Sequence, residues 1–83
     1  MKLEILTPEK VLFSGEVISV TLPGTLAPFQ ILNRHAPIIS SLSAGKITFW
    51  VSEGNSREIG VGDGFVEMSN NIVTVCVDSV KEQ

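Results

Sequence analysis

The sequence predicts an all-β domain, an antiparallel sandwich or barrel of seven to ten short strands. Three observations carry this. No window of helix length holds a sustained apolar period of 3.6 residues. Apolar and polar residues alternate in short runs instead, the mark of a strand buried on one face. Gly, Pro, Asn and Ser interrupt those runs at short intervals, so the connections are short and suit antiparallel neighbours.

The elements follow in order. In "LEI", Leu3 and Ile5 share a face. Pro8 lacks an N–H and presets a turn dihedral, so Thr7–Lys10 is expected to turn. From Glu16 to Leu22, Ile18, Val20 and Leu22 share one face and Val17, Ser19 and Thr21 the other. "LPG" ends that strand and "FQIL" forms a short apolar one. In "KITFWVS", Ile47, Phe49 and Val51 lie opposite Lys46, Thr48, Trp50 and Ser52. "EGNS" over 53–56 reads as a hairpin, because Gly and Asn tolerate positive φ. "REIGV" returns, "GDG" turns, "FVEMS" follows, "NN" turns again, and "IVTVCVD" closes with Val73, Val75 and Val77 on one face. The expected core is therefore Ile18, Val20, Leu22, Ile47, Phe49, Val51, Val73 and Val75. "SVKEQ" reads as a polar tail. The expected organisation is one domain over 1–78 and a tail over 79–83, with no repeat or linker.

Composition narrows the function classes. The net charge is −3. Residues 1–40 balance three basic against three acidic groups, and residues 41–83 set three against six. That balance argues against nucleic acid, which requires a basic footprint, and against an anionic membrane surface. Apolar runs are too short to span a bilayer as a helix. Glu4 and Glu9 interrupt the N-terminal stretch, which does not read as a signal peptide. One cysteine, Cys76, allows no internal disulfide and fits a reducing compartment.

The residues able to do chemistry are few. His35, the sole histidine, lies in "ILNRHAPIISSL". A catalytic loop, a metal site and a docking loop are the three readings of that stretch. Zinc takes three or four ligands, and Cys76 sits in a valine-rich strand, so no ligand set is apparent. A hydrolase would join His35 to Ser40 or Ser41 and an acid such as Asp63. A triad is a matter of geometry, which sequence leaves open. The Gly-x-Ser-x-Gly elbow is absent, since Ser14 in "LFSGE" lacks the first glycine. Gly60, Gly62 and Gly64 resemble a phosphate loop, but neither Lys-Ser/Thr nor a helix follows, so they read as a β-turn with Asp63 bonding nearby backbone. Glu53, Glu58, Glu67 and Asp78 read as solubilising groups at strand ends or outward positions. Trp50 faces away from Ile47, Phe49 and Val51. It either lies under a loop or anchors a partner, as Trp does at interface centres. Pro37 extends Ala36 and stiffens the segment, so "RHAPIIS" reads as a docking loop. The residues reach as far as an interaction module, such as a stand-alone sandwich that binds a peptide along a strand edge.

Several stretches together are similar to the N-terminal β-sandwich domain of the F-type ATP synthase epsilon subunit, called delta in mitochondria. They are "LEILTPEKVLFSGEV", "VTLPGTLAPFQILNRHAPIISSLSAGKI", "GVGDGFVEMSNNIVTV" and the closing "CVD", and they cover residues 3–78 in order. The resemblance implies two five-stranded sheets and a rotor subunit of the central stalk. That subunit is no catalyst, has no cofactor, does not insert in the membrane and is single in its complex. Its partners would be the gamma subunit and the ring of c subunits, coupling proton transport to ATP synthesis. Its location would be the cytoplasmic face of a bacterial inner membrane.

The resemblance also implies sites. On the c-ring side stand Pro28 in the Gly24–Gln30 loop, and Arg34, His35, Ala36, Pro37 and Ile38, with both loops expected at one end of the sandwich. On the gamma side stand Ser40 and Trp50. His35 is expected to act as a contact or a loop brace. Two departures are visible. Pro28 stands where the family often has an acidic residue, and Gln30 where it has glycine, so no acidic ring contact is expected there. The family usually continues into a helical hairpin that inhibits ATP hydrolysis and can bind ATP. The sequence to Gln83 holds no such segment, so neither property is expected of residues 1–83.

Overall fold

The computed structural model describes residues 1–81. Ten strands succeed one another: β1 Lys2–Leu6, β2 Val11–Glu16, β3 Ser19–Leu22, β4 Phe29–Leu32, β5 Ile38–Leu42, β6 Gly45–Ser52, β7 Asn55–Val61, β8 Gly64–Ser69, β9 Ile72–Val77 and β10 Val80–Lys81. They form two five-stranded sheets. The first has the order β2-β1-β9-β8-β5 and the second β10-β7-β6-β3-β4. Neighbours are antiparallel except β1 and β9, which run parallel. This is the all-β sandwich the sequence predicts, and no helix occurs among the described residues.

Local chemistry makes the turns. The Thr7 N–H donates to the Lys10 carbonyl at 2.9 Å, and the Lys10 N–H donates back to Thr7 Oγ1 at 3.1 Å. Gly54 turns the β6–β7 hairpin at φ 72°. Asn70 and Asn71 turn β8 into β9 at φ 54° and 62°, the pair of left-handed residues that a two-residue hairpin requires.

The core lies between the inner faces. Leu3, Ile5, Val66, Met68, Val73 and Val75 come from the first sheet, and Val20, Leu22, Ile31, Ile47, Phe49 and Val61 from the second, all buried. The Phe13 and Phe49 rings meet at 4.4 Å between centroids. The Arg57 guanidinium lies 5.4 Å and 5.7 Å from those two ring centres and covers that side of the core.

Two core assignments are corrected. Ile18 is 49% exposed. The Val17 N–H donates to the carbonyl of Met1, which leads into β1 of the first sheet, and the Ile18 N–H to that of Trp50 in the second. The chain changes sheets there, so the alternation of Val20 and Leu22 does not extend back through it. Val51 is only half-buried, because the β6–β7 register shifts between Trp50 and Ser52 and Val51 falls in the shift. The segment read as a polar tail also differs. Val80 and Lys81 pair with Val61 and Gly60 on β7, while Glu82 and Gln83 lie outside the described residues.

Candidate docking loops

Strand direction decides which loops share an end. β4 runs between the Gly24–Pro28 segment and the Asn33–Pro37 segment, and its four residues separate them by about 13 Å. β5 repeats the separation, because its last residue, Leu42, bridges to Gly24 while its first, Ile38, follows the His35 loop. The two loops expected together at one end therefore sit at opposite ends. Pro28 is apart from Arg34, His35, Ala36, Pro37 and Ile38.

The Pro28 end is built on backbone bonds. The Thr25 N–H donates to the Ser41 carbonyl at 3.3 Å, the two hydroxyls lie 2.9 Å apart, and the Ser43 N–H donates to the Pro23 carbonyl at 2.8 Å. Gly24 is required there, since a Cβ would come within 2.8 Å of the Phe29 ring. The tip residue Leu26 is fully exposed. An open depression of about 500 Å³ lies at the same end, with Leu6, Pro8, Phe65 and Cys76 in its wall and Asp63 and Asp78 beside it.

At the His35 end the loop is polar and exposed. Arg34 takes φ 65°. The His35 N–H donates to the Leu32 carbonyl at 3.1 Å, and its ring Nδ1 lies 2.7 Å from the Ala36 carbonyl, to which it donates. His35 thus braces its own loop and leaves the rest of the ring to solvent. The Arg34 N–H donates to Asn71 Oδ1 at 2.8 Å, and Asn71 Nδ2 donates to Asn33 Oδ1 at 2.9 Å.

The other predicted residues scatter. Ser40 points inward on β5 opposite Val66, half-buried, with its hydroxyl on the Ser41 carbonyl at 3.2 Å. Trp50 lies half-buried on the outer face of the second sheet, in a row with Ser19 and Leu32. Ser40 and Trp50 therefore share no surface. The hydrolase set is dispersed as well. Asp63 sits at the Pro28 end, accepting the Ala44 N–H at 2.9 Å, far from His35. Among the described residues no three His, Cys, Asp or Glu side chains come together as a metal site.

One surface escaped the sequence reading. On the outer face of the first sheet, Val11, Leu6, Cys76 and Phe65 form one cross-strand row. Val11 and Phe65 are exposed, as are Ile39 and Ile72 on the same face. The adjacent pair Ile38–Ile39 was the available signal, since extended neighbours point to opposite faces. The row itself is invisible without knowing which strands adjoin.

A family profile described as "ATP synthase, Delta/Epsilon chain, beta-sandwich domain" matches residues 1–83. The ATP synthase epsilon chain of Chlorobium limicola is 39% identical over 79 residues, which are 95% of this chain and 90% of that one. That of Wolinella succinogenes is 42% identical over 78 residues, but only 60% of its length is spanned. Among solved structures, a chain of the Euglena gracilis mitochondrial ATP synthase superposes with a TM-score of 0.87 at 15% identity, over 95% of this chain and 51% of that chain. A chain from the Tetrahymena thermophila central stalk and c-ring structure gives 0.82 at 16% identity, over 98% and 65%. At such identities the likeness is one of fold. The profile match along the whole chain and the nearly complete span of the Chlorobium relative make this chain a member of the ATP synthase delta/epsilon chain β-sandwich family.

Proposed function

We propose that this protein is a non-catalytic central-stalk subunit of an F-type ATP synthase, which links the gamma subunit to the ring of c subunits during rotary coupling. Family membership over residues 1–83 carries the reading. A close-packed two-sheet body supports it, because a rotor adaptor must transmit torque without deforming. So does the division of exposed features between two opposite ends and one sheet face, which lets one rigid body hold two partners at once. The subunit is part of a membrane-associated complex. In a bacterium it lies on the cytoplasmic face of the inner membrane.

In this reading the two ends divide between the partners. The Pro28 end, with Leu26 exposed at its tip, takes the c-ring. The Arg34–Ile38 loop leads directly onto Ile39, which with Ile72 is exposed at that end of the outer face of the first sheet, and together these take gamma. A stable complex buries about 1,200–2,000 Å² in total, which a sheet face supplies more readily than a loop tip. The test is reconstitution. Residues 1–83 added to synthase stripped of this subunit should restore coupling between the c-ring and gamma and should leave ATP hydrolysis by the catalytic head uninhibited. Retention of unrelated peptides, with no association to gamma or the ring, would overturn the reading in favour of a stand-alone binding module.

A further inference from the structure

The Asn33–Pro37 loop is exposed along its whole length, and two of its hydrogen bonds, from the His35 N–H to the Leu32 carbonyl and from the His35 ring to the Ala36 carbonyl, stay within the loop and the strand it leaves. Among the described residues, its hydrogen bonds to another element all run through Asn71. The Asn71 carboxamide accepts the Arg34 N–H at 2.8 Å and donates to Asn33 Oδ1 at 2.9 Å. The Asn71 carbonyl accepts the Lys2 N–H at 3.1 Å, which fixes the turn itself onto β1. A single side chain thus ties the connection between the two sheets to the rim of the first sheet.

The residue type at 71 points the same way. This is the second position of a two-residue hairpin turn, at φ 62°, where glycine serves the backbone best. Asparagine tolerates that conformation less well, so what it adds over glycine is its carboxamide. Arg34 also takes a left-handed conformation, at φ 65°, and its N–H finds its acceptor in Asn71. Two strained backbones are stitched together across 37 positions of sequence.

We infer that Asn71 is a positioning residue for docking: it holds the Arg34–His35 loop in its binding conformation before the partner arrives. The inference rests on the reading of that loop as part of the gamma-facing surface. A loop already ordered loses less conformational entropy on association, so the clamp acts through affinity without touching the partner.

Three variants separate the side chain from the backbone. Asn71→Gly keeps the turn dihedral and removes the carboxamide. Asn71→Asp keeps an acceptor for the Arg34 N–H, and the Asn33 amide can rotate to donate to it. The double variant N33D/N71D sets two carboxylates against each other and breaks the clamp again. Two readouts are taken: hydrogen exchange at the Arg34 amide of the free chain, and affinity for gamma-containing enzyme stripped of this subunit. Asn71→Gly should leave the chain folded, speed Arg34 exchange, and weaken association by about tenfold. Asn71→Asp should restore both to within about twofold, and N33D/N71D should lose both again. Unchanged Arg34 exchange in Asn71→Gly would overturn the clamp. Faster exchange with unchanged affinity would overturn the positioning role. In that case Arg34→Ala and Ile39→Asp in the same assay separate the two ideas. If they weaken binding, the loop and face still dock and only the positioning role fails. If they do not, the docking assignment fails with it.

Discussion

Arg34 occupies a conformation that costs an L residue about 1–2 kcal/mol, because its Cβ crowds the following carbonyl oxygen. Glycine escapes that cost but loses about 0.5–1 kcal/mol more than other residues in unfolded-state entropy. The balance favours Arg34→Gly, which should stabilise the isolated chain by about 0.5 kcal/mol in urea unfolding. A loss of stability would mean that the arginine side chain makes a compensating contact. His35 illustrates a second residue-scale point. Its Nδ1 bond to the Ala36 carbonyl is local, so His35→Ala should leave the fold intact and act on the loop alone. Far-ultraviolet circular dichroism before and after heating checks this.

At the scale of elements, the crossing between sheets at Val17 and Ile18 separates two residues that alternation had grouped. Val20 is fully buried and Ile18 is 49% exposed. Val20→Ala should cost about 2 kcal/mol by loss of buried methyl groups, and Ile18→Ala less than about 0.5 kcal/mol. Equal costs in equilibrium unfolding would place Ile18 back in the core. Phe49, buried and in tilted contact with Phe13 at 4.4 Å between ring centroids, is the largest of the fully buried side chains, and Phe49→Ala should cost about 3–5 kcal/mol. An 83-residue domain has a thin stability margin, so that variant should lie close to its unfolding threshold at room temperature.

At the scale of the whole molecule, the opposition of the two ends makes the two interfaces separable. Leu26→Asp charges the tip of the Pro28 end and should weaken ring association while sparing gamma. Ile39→Asp charges the outer face of the first sheet and should do the reverse. Each should reduce its own interface by at least about tenfold, because a charge placed in an apolar contact must be desolvated without a partner. Binding of each variant to isolated gamma and to purified c-ring decides the matter. Loss of both partners by either variant would mean that the two surfaces merge or that the fold has failed, and the unfolding curve tells which.

The sequence by itself determined seven of the ten strands, the main turns and six of the eight residues expected in the core; β2, β5 and β10 went unread as strands. Each is a local property: side chains alternate with a period of two along any strand, and Pro8, Gly54, Asn70 and Asn71 carry their turn dihedrals in their own covalent chemistry. The burial of Val20, Leu22, Ile47, Phe49, Val73 and Val75 was legible for that reason. Family motifs in their order added the two-sheet architecture. Local pattern failed where the chain leaves one sheet for the other, at Ile18, and where a register shift consumes a residue, at Val51. The candidate site was less legible than the fold. Pro28 and His35 are close in sequence, and stiff prolines near both suggested one surface, yet a four-residue strand between them carries them to opposite ends. Asn71 read only as a turn residue, Phe65 only as a member of its own strand, and Val11 as part of no element. Their roles arise from pairings between segments distant in the chain, which depend on how all ten strands close around one core. Only the tertiary structure decided which residues share a surface.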